Sequence, residues 1–525
     1  MNKKNLILLP LAFMFWLPVV ATDFVEHRLA GSNKVVFKFM FRNGSMADPA
    51  GQEGLTFLTT SLVGDGGTST MTSTQVKDFL YPMAAQISYS IDKEVAIFTF
   101  EVHVDHVEAF YPVMIDLLTR PRMDEGDFNR LKSNQENYVK QVIRTSSDEE
   151  YSKKALEDLL FRGTRYQHMS AGTVSGIASL TLAACKTHYH NYFRQDNLMV
   201  GIAGNYSPAL FDRLKADVKK LPPGAPKLPE PVTARQPDGI QVEIISKKGA
   251  LGSAIFTGAP LPITRRDDDF AALMVANSWL GEHRKSYSRL YQKIREQRSM
   301  NYGDYSYIEW YANGGGNMLP PSGVPRNANY FAIWIRPVQI AKGLKEQYPE
   351  LSDITIGHAH FAIRMAIREL DLLIRNGMTK EDFELTRTFL RSYIKLYAQT
   401  PERQLGYLMD SKFYGRKDYL AEMDILLAKL TLDDVNQAIR KYWRSDAMFI
   451  TIVTDESEAG PLAESLEKNL PSPMSYSDSL RESLPEDLLK EDEEVARFPL
   501  NVKSVRIVDS NETFLGETAS KEAVK

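Results

Sequence analysis

Leu180-Thr181-Leu182 and Leu430-Thr431-Leu432 stand 250 positions apart, and with no gap between them Tyr192, Arg194, Asp196 and Ile202 meet Tyr442, Arg444, Asp446 and Ile452. Both copies read as a helix, a turn holding an aromatic residue and an arginine, and a following apolar strand. Recurrence at a fixed offset points to two copies of one unit of about 210 residues rather than to one large core. The length of 525 residues agrees, since a single core of usual size would not need it.

Between the copies, Leu221 to Gly239 (LPPGAPKLPEPVTARQPDG) is rich in Pro and lacks apolar periodicity, as a stiff linker does. The expected division is therefore a repeat at 22–221, a linker at 222–239 and a second repeat at 240–456. In the first repeat Lys34 to Arg42, Ala85 to Ser90 and Glu94 to His103 alternate as strands, with Ile91-Asp92-Lys93 as a turn. Helical patterns cover Val107 to Thr119, Glu125 to Arg144, Tyr151 to Phe161 and Leu182 to Phe193, followed by a strand at Leu198 to Ala203 and a helix at Pro208 to Leu221. The second repeat offers strands near Gln241 to Ile245, Ser253 to Thr257, Tyr302 to Trp310 and Tyr330 to Val338. Its helices are expected at Asp267 to Leu280, at Ser288 to Arg295 and then as long helices to Tyr442. The fold class expected is α+β, two tandem homologous repeats that each pack a mixed or antiparallel sheet with long helices. From Ser457 onward 15 acidic residues face 8 basic ones, so 457–525 reads as a solvated acidic extension. Within it Lys490 to Glu494 is expected as an exposed helix or a disordered stretch, and Val505 to Val508 as a short strand.

Lys and Arg total 63 against 67 Asp and Glu, which gives no broad basic field for nucleic acid. Cys185 is the single cysteine, so a metal site would have to come from His and carboxylates. Lys3 and Lys4 before the apolar run Leu6 to Val20, with Val19-Val20-Ala21 at its end, read as an export signal cleaved after Ala21. The mature chain is then expected in a periplasm or outside the cell, with no membrane span. No Cys follows the run, which excludes a lipid-anchored lipoprotein. The His pairs 188/190 and 358/360 are spaced i, i+2 in segments read as helical and point too far apart to share an ion. His103/His106 beside Asp105 reads as a surface turn. Gly314-Gly315-Gly316 lacks the strand-to-helix setting of a phosphate loop.

Arg42-Asn43-Gly44-Ser45, then Asp48-Pro49 and Gly51, then Gly54-Leu55 opening a helix, form an ordered set of motifs. Leu117 to Pro121, the doubled Leu-Thr-Leu with its Tyr-aromatic-Arg turn, and Ser288-Arg289-Leu290 leading to Ile294-Arg295-Glu296 and Tyr302 complete it. In this the chain resembles the pitrilysin/insulinase family of zinc metallopeptidases, near its mitochondrial-processing-peptidase branch, from Phe24 to Thr454. The resemblance implies an inverted zinc motif, H-x-x-E-H, on the helix after Gly54-Leu55. Those positions hold Phe57, Thr60 and Ser61, and the third ligand position falls near Asn137, with Glu136 the nearest carboxylate. None of the first three can ligate as imidazole or act as a carboxylate base. The resemblance also implies that an Arg and a Tyr seven residues later reach a substrate carbonyl across the cavity. Arg295 and Tyr302 have that spacing, although Asn301 stands where relatives often have Gly.

In two-chain members of the family one subunit carries zinc and the other, zinc-free, carries the Arg/Tyr pair. The resemblance therefore implies a non-catalytic, substrate-binding subunit of a periplasmic heterodimeric zinc metallopeptidase. Its partners would be a homologous zinc-bearing subunit and a peptide substrate, with no cofactor in this chain and zinc in the partner. Two rivals remain: a family-derived scaffold with no part in hydrolysis, and a free-standing peptidase with an unusual site.

Overall fold

The computed structural model describes residues 22–309 and 322–516. The expected export signal and Gly314-Gly315-Gly316 lie outside the described residues. The strands are β1 (Asp23–Arg28), β2 (Lys34–Phe41), β3 (Gln86–Ile91), β4 (Ala96–His103), β5 (Leu198–Gly204), β6 (Ile240–Lys247), β7 (Gly252–Leu261), β8 (Asp304–Tyr307), β9 (Asn329–Gln339), β10 (Phe449–Asp455) and β11 (Val502–Asp509). One sheet runs β1-β5-β2-β4-β3 and the other β11-β6-β10-β7-β9-β8. Removing β11 leaves two sheets of one order, and in each the first strand runs parallel to its neighbour while the rest are antiparallel. The fold is α+β, with one plan used twice. The doubled Leu-Thr-Leu is explained by capping: the Thr181 and Thr431 side chains accept the third backbone N–H of the helices Leu182–Tyr192 and Leu432–Tyr442.

Strand β2 (KVVFKFMF) shows how the sheets are covered. Val35, Phe37, Phe39 and Phe41 face a core made with the first repeat's own helices. Val36 and Met40 face the other way and meet Leu405 and Met409, from helix Pro401–Phe413 of the second repeat. On this face Lys38 is buried and pairs with Glu402 at 3.1 Å. The exchange is reciprocal. Helix Asp148–Leu160 of the first repeat lies on the second sheet, where Tyr151 and Ala155 pack with Ile245, Ala254 and Val453. Ser152 Oγ donates to the Thr451 carbonyl at 3.1 Å. Each apolar side chain buried this way contributes about 1.5–3 kcal/mol.

A buried ionic clasp crosses the same boundary. Arg326, just before β9, donates to both carboxylate oxygens of Asp92 in the β3–β4 turn and to Glu157 on the exchanged helix. Lys93 pairs with Glu157 at 3.3 Å and donates to the His168 carbonyl at 2.5 Å. All four side chains are at most 5% exposed. Burial alone would raise Glu157, but the charges of Arg326 and Lys93 hold it at about 2. Burial pulls Lys93 below the usual lysine range, and Glu157 offsets this only in part.

Several sequence expectations need correction. The helix expected from Glu125 to Arg144 is α-helical to Asn137 and then widens into a π-turn at Tyr138–Val142. The one expected at Ser288 to Arg295 is π-helical at Tyr291–Glu296. Strand β1 was not foreseen, since DFVEHR is half polar and pairs as a sheet-edge strand. The acidic extension is not solvated over Ser457 to Asp509: Leu488, Val495 and Ala496 are buried, and β11 pairs in parallel with β6. Its charges find basic partners far away in sequence, Glu491 with Lys293 at 2.7 Å and Asp492 with Arg298 at 2.7 Å.

Arg326→Met should leave the buried Asp92 without its guanidinium and Glu157 with Lys93 alone, and lower the unfolding free energy by about 3–5 kcal/mol, read from the urea midpoint. Glu157 is held below its ordinary 4.5, so its contribution is fully present above that pH and is lost as pH falls toward 2, about 3 kcal/mol in all. Thermal unfolding across that acid range should steepen accordingly in the wild type and flatten in Glu157→Gln.

Candidate functional site

Helix Leu55–Asp65 begins where Asp48 folds back onto it. Asp48 is buried, and its carboxylate accepts the N–H groups of Gly54 and Thr56, each at 2.7 Å, and the Thr56 hydroxyl at 2.6 Å. Thr56 Oγ1 in turn meets His188 Nε2 at 3.1 Å, and His168 Nε2 lies 3.2 Å from Asp48. Burial drops His188 to about 4, with Asp48 opposing, and because the Thr56 hydroxyl donates to Asp48, its oxygen is left to accept from His188 Nε2. This cluster anchors the helix start.

The degenerate motif positions follow, Phe57 in the same first turn and Thr60 and Ser61 one turn on. The Phe57 ring packs against Val139, Ile143, Met169, Ala171 and Ile177. Thr60 Oγ1 donates to the Thr56 carbonyl at 2.8 Å and Ser61 Oγ to the Phe57 carbonyl at 2.9 Å, so both hydroxyl protons go to their own helix, while Ser61 also meets the Tyr89 hydroxyl of β3. Near the third position Asn137 is exposed and Glu136 pairs with Lys140 at 3.6 Å. The side chain that reaches back is Gln135, whose Nε2 donates to the carbonyls of Gly54 at 3.0 Å and Ala171 at 2.8 Å. Zinc as the family binds it does not fit this donor set. Among the described residues no group of three His, Cys, Asp or Glu side chains is placed to hold a metal ion.

The other His pairs stay apart. His358 Nε2 meets the Ser475 carbonyl at 3.1 Å, and His360 Nδ1 meets Ser465 Oγ at 2.8 Å. His358 caps its helix rather than lying inside it. His103 and His106 sit on a short turn, His103 Nδ1 being 3.4 Å from Asp105. Burial pushes the Cys185 thiol up to about 11, as suits a core residue.

Arg295 and Tyr302 sit on a braced segment. The two side chains are not bonded to one another. Arg295 pairs with its neighbour Glu296 and lies over the Tyr291 ring at 5.0 Å. Tyr302 is 79% exposed, and its hydroxyl makes no hydrogen bond among the described residues. The turn that presents it is locked by Asn301, whose Nδ2 donates to Asp304 at 2.8 Å and to the Arg336 carbonyl at 3.0 Å, while its Oδ1 accepts from Gly303 N at 3.0 Å. Gly303 takes φ 151°, and a Cβ there would fall 2.1 Å from the Tyr305 hydroxyl, so the glycine is needed after the tyrosine. This turn also keeps Tyr302 out of the ladder, so the strand expected from Tyr302 starts at Asp304.

Supports come from both sides of the segment. Behind it Lys293 and Arg298 bind Glu491, and Arg298 binds Asp492 at 2.7 Å, so the acidic extension splints the stretch that carries Arg295 and Tyr302. Burial alone would raise Glu491, but Lys293 and Arg298 hold it at about 2. In front, Arg336 lies 6.0 Å from the Tyr302 ring and donates to Glu149 at 2.8 Å, on the first turn of the exchanged helix. A cavity of about 440 Å³ opens here between Ser146, Glu149, Leu251 and Arg336. Beneath β8, His283 Nδ1 meets the Tyr307 hydroxyl at 2.8 Å and its ring lies 4.2 Å from that of Tyr305. Burial drops His283 to about 4. Sequence spacing does not flag His168 or His283, because each is alone in sequence and meets its partners only on folding.

Residues 28–174 match the family described as Insulinase (Peptidase family M16), and residues 179–333 match Peptidase M16 inactive domain. Over 257 residues the chain is 26% identical to the uncharacterized zinc protease YmxG of Bacillus subtilis, which covers 47% of this chain and 59% of that protein. Over 280 residues it is 24% identical to an uncharacterized zinc protease of Streptomyces coelicolor, covering 51% and 52%. The chain thus spans between half and three fifths of the length of these curated relatives. In fold it is similar to the peptidase M16 inactive domain from Pseudomonas fluorescens, with a TM-score of 0.70, 18% identity, and 84% and 97% of the two chains covered. A protease from Helicobacter pylori follows at 0.68 and 13%, covering 83% and 97%. With both family models matched across more than half of the sequence and one sheet plan used twice, the chain belongs to the pitrilysin/insulinase-like peptidase family.

Proposed function

We propose that this chain is the non-catalytic, substrate-binding subunit of a two-chain zinc metallopeptidase, exported to the periplasm and paired with a homologous zinc-bearing subunit. The observation that carries the reading is an asymmetry between two sites. The positions that hold zinc in relatives are closed by a packed phenyl ring and by hydroxyls bonded to their own helix. The position that holds the substrate-facing tyrosine offers an exposed, unbonded phenol on a turn braced from three sides. A free phenol O–H can donate to a carbonyl oxygen that becomes negative in a tetrahedral state, and a guanidinium such as Arg295 can hold a neighbouring carbonyl. The chain would supply these donors, and the metal and general base would come from the partner. Among the described residues no helix is long and apolar enough to cross a membrane.

The purified chain should carry well under one zinc per chain after dialysis and hydrolyse no peptide. Elemental analysis showing a full equivalent, lost on mutating His168 or His188, would place a metal site elsewhere. Mixed with a zinc-bearing homologue, it should be required for cleavage of a quenched fluorescent peptide. Arg295→Ala or Tyr302→Phe should then lower turnover by about 10²-fold with co-elution of the two chains unchanged. Wild-type turnover in both variants would favour the scaffold reading.

A further inference from the structure

After β11 the chain leaves the second sheet and crosses back to the first repeat. There Phe514 seats its ring between two clusters, Val139, Ile143, Met169 and Ile177 on one side and Tyr151 with Ala155 on the other. Its ring centroid is 5.7 Å from that of Tyr151. The backbone around it is held as a bound peptide would be. The carbonyls of Phe514 and Leu515 accept from the N–H groups of Val174 and Ser175, both at 3.0 Å. The Thr513 carbonyl accepts from Arg144 Nη2 at 2.6 Å, and the Ser510 carbonyl accepts from Arg144 Nε at 3.0 Å and from the Tyr151 hydroxyl at 2.9 Å. These donors read main-chain carbonyls of a segment that turns, with Ser510–Glu512 as a short 3-10 turn and Phe514 at φ 57°. Side chains are read at three places: Thr513, whose Oγ1 lies 2.6 Å from the Tyr151 hydroxyl, the aromatic seat, and Gly516, where φ is +100° and a Cβ would lie 1.9 Å from Ser175 Oγ.

We propose that this groove is a binding site for a turned peptide carrying an aromatic residue in the left-handed conformation and, two positions later, a glycine, and that Ser510–Gly516 of the chain itself is its resident occupant. Phe57, at the first degenerate metal position, packs on the same apolar cluster, so the site borders the place where relatives hold their metal helix. An incoming peptide gains entry by displacing the strap. The inference rests on this chain alone and does not need the partner subunit.

The test uses the full chain and a fluorescein-labelled heptapeptide of sequence SNETFLG, followed by anisotropy. Phe514→Ala, which empties the aromatic seat, should bind the peptide at least about tenfold more tightly than wild type, whose groove is filled. Peptides with alanine for the phenylalanine or valine for the glycine should lose that binding. Because the variant can fail to fold, a protease site is also placed between Asp509 and Ser510 of the wild-type chain and cut after folding. The released tail should stay bound until excess unlabelled heptapeptide displaces it, and the alanine-bearing peptide should not displace it. No heptapeptide binding to either the variant or the cut chain, or equal binding by the alanine-bearing peptide, would overturn the proposal.

Discussion

Arg326 is 4% exposed and shares a buried space with Asp92, Glu157 and Lys93, two positive and two negative charges withdrawn from bulk solvent. Removing such groups from solvent costs several kcal/mol each, and their mutual attraction repays that only when every member is in place. The members come from a hairpin turn of the first sheet, from the exchanged helix Asp148–Leu160 and from the approach to β9 in the second repeat. An apolar interface between the two repeats would tolerate small slides, since hydrophobic contact is not directional. The clasp does not tolerate them, and so sets the register of one repeat against the other.

The seating of that helix then governs both margins of the site. Its first turn carries Glu149, which holds Arg336 beneath Tyr302, and Tyr151, which bonds the C-terminal strap near Phe57. The acidic extension does the corresponding work from behind, where Glu491 and Asp492 fix Lys293 and Arg298 on either side of Arg295. Residues that do not touch the Tyr302 hydroxyl thus hold the turn that presents it.

What was legible in the sequence follows from which forces are local. Period-two alternation in KVVFKFMF and capping threonines in the doubled Leu-Thr-Leu act within a few residues, and they marked strands, helices and the repeat. Phe57, Thr60 and Ser61 could be judged as unable to bind zinc from chemistry alone, without geometry. The exchange of helices could not be seen, because Met409 and Val36 read as ordinary core residues and nothing in their own neighbourhoods says which core. The acidic extension was misjudged for a related reason. Charge counting treats Glu491 as a solvated group, whereas its partners Lys293 and Arg298 are nearly 200 positions away in the chain. Gly303 and the Asn301 side chain show a finer case, since the bond between them that shapes the turn around Tyr302 is visible only once the chain is folded.

The crossed helices also set the order in which this chain can mature as it is made. The inner face of the first sheet stays uncovered until Leu405 and Met409 have been synthesised, some two hundred residues after β5 is complete. Contacts so distant in sequence form slowly, and through that interval Val36, Met40 and Met199 are open to water and to other chains. A protein built this way gains a single cooperative body from two copies of one plan, and it depends on being kept unfolded, or shielded, until its second copy has emerged.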